Sequence, residues 1–204
     1  MHARLAQLPA FFAASAGLLL TAGCQILPEA QSDPTRFYVL SSAAAGTAAT
    51  TGAPVVQLRP VEVAEYLRSR SLVVRRGGNE VEFREFARWG EPLEAGVARV
   101  LREELLARGA AGAVLAASAR RDPAKANFDL SVRVLAAEGA ANGAVDFHAG
   151  WELRAVDTGT VAARGDFRAA GARWDGKNEA ALAAGLSQAV GALAAEIASA
   201  LPKP

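Results

Sequence analysis

Cysteine, histidine and net charge are all scarce in this chain of 204 residues, which has one Cys, two His, and 22 Lys+Arg against 21 Asp+Glu. A single Cys cannot close an internal disulfide, and with two His it cannot supply the ligand set of a zinc cage. A formal charge of +1 leaves no broad basic footprint, so nucleic acid is not an expected partner. The sequence contains no GxSxG, HExxH, GxGxxG or Walker run. Gly109 and Gly112 follow a helical pattern and precede the apolar Val114-Leu115, the reverse of a phosphate loop. Acid pairs such as Glu103-Glu104 and Glu91 with Glu94 read most simply as helix faces. The expectation is therefore a non-enzyme with no metal and no catalytic residue. Without ATP machinery, any transport energy would come from a partner.

Cys24 sits near the end of a long uncharged run, Leu5 to Ile26. That run is long enough for a spanning helix, but a short apolar core after Arg4, ending in small residues, fits a cleaved signal better. Ala22 and Gly23 stand just before Cys24, with Leu20 and Thr21 ahead of them. This resembles a bacterial lipobox, although Thr21 stands where an aliphatic residue is usual. The alternative for Cys24 is a small buried hydrophobe. The lipobox resemblance implies residues 1–23 as signal peptide and covalent lipid on Cys24, with diacylglycerol and palmitate chains enough for stable anchoring. Gln25, not Asp, follows the cysteine, a pattern that implies the inner leaflet of the outer membrane, facing the periplasm. Loss of residues 1–23 takes away Arg4 alone among the charges, leaving 21 basic against 21 acidic groups and one histidine, His148.

Residues 24–35 carry Pro28 and Pro34 without periodicity and read as a tether, which holds Phe37 within about 45 Å of the cysteine. Residues 36–204 read as a single domain, with 41–54 as a flexible Ala, Thr and Gly connector. Strands are expected over Arg36–Leu40 and Val55–Val63, the latter with Pro60 at an edge or bulge. Gly77-Gly78-Asn79 marks a hairpin between Ser71–Arg76 and Glu80–Phe83. A helix follows with Pro92 at its first position, Leu93, Val97, Val100, Leu101 and Leu105 on one face, and Gly109 at its end. Period-two patterns begin at Phe128, Val145 and Val161, with Asp157-Thr158-Gly159 as a turn, and each has one apolar face. On that phase His148 is a solvated surface residue. Leu182, Leu186, Val190, Leu193, Ile197 and Leu201 form a closing helical stripe capped by Asp175 or Asn178. The fold class is α+β: two layers, a mixed or antiparallel sheet with two helices on one face.

The run Glu85-Phe86-Ala87-Arg88-Trp89-Gly90-Glu91-Pro92-Leu93 is the most distinctive. It reads most simply as a loop bringing a core tryptophan to a helix; the other reading is a partner surface, since Trp and Arg are enriched at hot spots. A lipobox cysteine, Arg36–Leu40, Val63-Ala64-Glu65-Tyr66-Leu67, Asn79, this Arg-Trp-x-Glu-Pro-Leu run, Gly150-Trp151-Glu152-Leu153 and Ala194–Ile197 come in that order. Together they resemble the ABC-transporter auxiliary lipoproteins, the PqiC or YmbA group. Ala64 stands where that group often has proline.

The resemblance implies a TolB amino-terminal-domain-like layer. It also implies an outer-membrane lipoprotein that supports membrane integrity by working with an MCE-domain protein and inner-membrane transporter components to move lipid across the periplasm, and it leaves a homo-oligomer open. Tyr66, Arg75, Arg88 and Trp89 are the candidate partner contacts. The other function carried forward is a regulatory lipoprotein that binds and activates a cell-wall synthase.

Overall fold

The computed structural model describes residues 32–44, 52–116 and 127–203. The chain divides into two compact units, Met1–Pro34 and Thr35–Pro204, and every element below belongs to the second. Cys24, the expected signal peptide and most of the expected tether lie outside the described residues.

The order is β1 (Arg36–Tyr38), β2 (Val55–Leu58), β3 (Glu62–Val63), a 3-10 turn (Glu65–Arg68), β4 (Ser71–Arg75), β5 (Val81–Trp89), α1 (Leu93–Ala107), β6 (Ala113–Leu115), β7 (Phe128–Ala140), β8 (Val145–Ala155), β9 (Val161–Arg168) and α2 (Glu179–Ala200). The sheet is mixed. β7 pairs antiparallel with β8, and β8 with β9. The other edge of β7 is shared in turn by β2, β3 and β4, all parallel to it. From β4 the sheet continues through β5 to β1, and from β2 to β6.

The expected strand Val55–Val63 is two strands, because Pro60 has no N–H to donate and the ladder breaks between Leu58 and Glu62. Glu85–Trp89 is not a loop but the second half of β5, and Trp89 is indeed in the core, 3% exposed. Pro92 occupies the cap position, one residue before the helix proper. Gly109 closes α1 at φ +65°, a left-handed conformation that costs glycine little. β6 is a short strand that the sequence pattern does not announce.

Leu93, Val97, Val100, Leu101 and Leu105 of α1 are buried, as are Leu182, Leu186, Val190, Leu193 and Ile197 of α2. Each such side chain contributes roughly 1.5–3 kcal/mol on burial. By length and composition α2 could cross a membrane, yet half of it is buried inside the fold. Gly185 allows the close approach of α2 to β8, since a Cβ there would stand 2.8 Å from Val145 Cγ2. Of the two expected caps, Asn178 accepts from Ala181 N, while Asp175 closes the preceding turn by accepting from Lys177 N and Asn178 N.

The start of the expected flexible connector is tied to the helices. Ser41 N donates to Ser187 Oγ, and Ser42 Oγ, Ala43 N and Ala44 N all donate to Glu104 Oε1. Burial pushes the Glu104 carboxyl up, but these donors and Arg108 outweigh it and hold it below the usual carboxylate range.

Candidate functional site

Side chains alternate across a strand, so the residues of β7, β8 and β9 that do not face the helices share one outer surface. Along β8, Val145, Phe147, Ala149, Trp151 and Leu153 are buried on the helix side, where Trp151 Nε1 donates to Glu196 Oε1 of α2. The outer residues fall into cross-strand rows. One runs Glu62, Arg133, Gly150, Asp166 across β3, β7, β8 and β9. The next runs Ser131, Glu152, Arg164, and Arg59 extends it beyond β2 by donating its backbone N–H to Leu130 O.

These rows line a groove of about 970 Å³, closed by Pro60 and Leu135. Gly150 is its floor. A Cβ there would meet nothing within 4 Å, so the missing side chain is what opens the depression.

The acids around the groove are already engaged. Glu62 Oε2 lies 2.6 Å from Arg133 Nη2, Glu152 Oε1 lies 2.6 Å from Arg154 Nη2, and Asp166 accepts from His148 Nε2 at 2.9 Å. His148 is thus on the polar face as expected but is not solvated: its side chain is 13% exposed and held against Asp166. Arg59 and Arg164 are exposed and form no ion pair among the described residues. The groove therefore presents two cations without an ion pair among the described residues flanking a neutralised floor, an arrangement suited to polar, partly anionic contact. Among the described residues no group of three His, Cys, Asp or Glu could hold a metal ion.

A β-bulge decides what closes the neighbouring end. Val134 pairs with Ala149 but Ala136 pairs with His148, so Leu135 is an inserted residue and the phase of β7 flips beyond it. Without the bulge Glu138 would point at the helices. With it, Glu138 points to the outer face, where it is 0% exposed yet fully engaged. Tyr66 Oη donates to Glu138 Oε2 at 3.0 Å, Arg75 Nε donates to Glu138 Oε1, and Tyr66 Oη also reaches Leu135 O. Burial, reinforced by the Glu138 charge, pushes the Tyr66 phenol up to about 12. The hydrogen bond that Arg75 donates to Glu138 raises its guanidinium above the usual arginine value.

Two of the four candidate contacts, Tyr66 and Arg75, are thereby brought together on a carboxylate that sequence reasoning missed. Its signal was an acid isolated between Ala137 and Gly139 at the end of an apolar alternation. Arg88 stands apart, exposed on β5, with Nε donating to Glu85 O. Buried Trp89 offers its side chain to the core and not to a partner. Arg59, Glu62, Arg133, Arg164 and Asp166 were also missed, because strand patterning says which face a residue occupies but not which strands lie beside it.

A family described as "ABC-type transport auxiliary lipoprotein component" matches residues 38–198 of this chain. Among solved structures, one described as an uncharacterized protein shares 19% identity at a TM-score of 0.65, covering 81% of this chain and 97% of its own. Protein XCC0632 from Xanthomonas campestris, assigned to the DUF330 family, shares 18% identity at a TM-score of 0.65, covering 79% of this chain and 92% of its own. TolB from Acinetobacter baumannii overlaps at 11% identity and a TM-score of 0.29, covering 65% of this chain and 26% of its own. No curated protein matches. The first two likenesses extend across nearly the whole sheet-and-helix unit and show its α+β fold.

Proposed function

This chain belongs to the family of ABC-type transport auxiliary lipoprotein components, and from that premise we propose that it is a non-catalytic outer-membrane subunit of a lipid-transport system. In this reading residues 1–23 are removed, Cys24 carries the lipid, and the domain faces the periplasm. The outer face of its sheet docks the end of a conduit formed by an MCE-domain protein that receives lipid from inner-membrane transporter components. The observation that carries the reading is the groove over Gly150, an open, rigid, strand-built surface with Arg59 and Arg164 uncommitted at its rim. Sites on strands hold their geometry better than sites on loops. A docking role also accords with His148 being committed to Asp166 on a shallow sheet face.

Gly150→Val tests the docking surface. The new side chain enters open space and suits a strand, so the fold is retained while the groove is filled. Capture from native membranes is expected to recover an MCE-type protein with the parent chain and to lose it with Gly150→Val. Recovery of a cell-wall synthase with no MCE-type protein would sink the transport reading in favour of the regulatory one. Cys24→Ser is expected to abolish lipid labelling and membrane retention, and normal acylation of that variant would contradict the lipobox assignment.

A further inference from the structure

The described residues include six large hydrophobic side chains that are exposed, and four of them, Phe37, Val39, Phe83 and Phe86, lie on or just beyond the neighbouring strands β1 and β5. Phe37 is the most open at 65%. β1 pairs with β5 and, among the described residues, has no partner on its other side, so this is a sheet edge. Scattered apolar residues on a soluble domain need no explanation, but a concentration at one edge marks an interaction surface. The charged residues nearby carry both signs, and Glu82 and Arg84, which flank Phe83, are engaged with each other. Arg36 precedes Phe37, and Arg88 is its direct cross-strand partner, with exposed Glu85 three residues away. Neither arginine forms an ion pair among the described residues.

We infer that the β1–β5 edge seats on the bilayer surface to which Cys24 anchors the chain. The inference rests on the lipid-anchor reading. The occupant follows from chain length and chemistry: Arg36 stands twelve positions after Cys24, at most about 43 Å when fully extended, and β1 is the first element among the described residues. The edge nearest the anchor along the chain thus carries most of the exposed large apolar side chains together with Arg36 and Arg88. A membrane interface accepts this combination, with Phe and Val entering the acyl boundary while arginines meet anionic headgroups. It also covers an edge strand that would otherwise invite pairing with another chain.

The test uses the full lipidated chain in phosphatidylethanolamine–phosphatidylglycerol vesicles. Cys24 is consumed by acylation, so an introduced cysteine is the sole thiol for an environment-sensitive fluorophore. Probes at Val39→Cys and Phe86→Cys are expected to shift to the blue and lose intensity when the lipids are brominated near the headgroup. A probe at Thr158→Cys, in the β8–β9 turn, is expected to remain open to aqueous iodide. Replacing Phe37 with Ser is expected to return the Phe86→Cys probe to water. Flotation with the vesicles reports anchoring separately. A chain that floats while the probes at 39 and 86 stay as iodide-accessible as the one at 158 overturns the seating and leaves the anchor standing. A chain that does not float overturns both.

Discussion

Replacing Arg75 tests whether the buried carboxylate beside the groove is a fixed part of the fold. Glu138 is 0% exposed, whereas the Arg75 side chain paired with it is 33% exposed. The two partners are therefore unequal when one is removed. Arg75→Met strands an ionised carboxylate away from water with the Tyr66 hydroxyl as its remaining side-chain donor, and breaking a buried pair this way costs about 3–5 kcal/mol. Glu138→Gln keeps an acceptor for Tyr66 and leaves a guanidinium that can turn toward solvent, so its cost falls to about 1–2 kcal/mol, the range of a lost charged hydrogen bond. Arg75→Met with Glu138→Met removes both charges, and an apolar pair of similar volume is near neutral, within about 1–2 kcal/mol of the parent.

The assay is urea unfolding of the full chain followed by the fluorescence of Trp89, Trp151 and Trp174, with the denaturant slope checked for constancy. In a domain of this size each kcal/mol shifts the thermal midpoint by about 2–4 °C, so Arg75→Met alone should lower it by roughly 6–20 °C. The double variant should recover most of that loss. If Arg75→Met costs less than about 1 kcal/mol, or if the double variant loses as much as the two single changes together, the carboxylate is not a buried charge held by its partner and the reasoning fails.

Tyr66 gives an alkaline signature. Its phenol is held at about 12, above the usual 10, so its contribution is fully present below pH 10 and is lost as pH rises toward 12. Tyr66→Phe should remove that slope from stability measured between pH 9 and 11.5, and an unchanged slope would assign it to other groups. Glu104→Ala should cost about 2 kcal/mol by removing the acceptor of its part-buried donors, and should strip hydrogen-exchange protection from Ala43 and Ala44 while the core of the sheet keeps its own. Gly165→Ala should destabilise by about 1–3 kcal/mol, because the new Cβ would stand 2.5 Å from Trp151 Nε1 and 2.8 Å from Glu196 Oε1. Gly150→Ala, in open space, should be neutral or stabilising by up to about 1 kcal/mol, and equal costs at the two sites by urea unfolding would contradict the packing described.

Much of the fold was legible because its signals are periodic. The apolar faces of α1 and α2, the Gly77-Gly78-Asn79 hairpin and the alternation of β7, β8 and β9 each follow from a repeat that the chain prints locally. The misreadings share another cause. Glu85–Trp89 carries no clean alternation because β5 is irregular against β4, where Ser71 pairs with Arg88 but Val73 pairs with Phe83. Pro60 interrupts a β-branched run without changing its composition, so one strand was read where there are two. In both places the deciding interaction is with a neighbouring strand far away in sequence.

The candidate site was the least legible part for the same reason, and the bulge at Leu135 shows how. Up to Val134 the alternation of β7 correctly assigns even positions to the core. Carried through to residue 138, it would bury a glutamate among leucines, a placement that costs several kcal/mol unless the group is neutralised or paired. That conflict is itself a signal: an acid on the apolar phase of a long strand implies either a partner within the core or a shift of register before it. Here the register shifts, and the shifted carboxylate holds Arg75 and the Tyr66 turn against the outer face. Through Tyr66 Oη the turn also reaches the backbone oxygen of Leu135, which lines the end of the groove. A surface offered to a partner must keep its shape when empty, and a charge that cannot be moved without a large cost is one way to keep it.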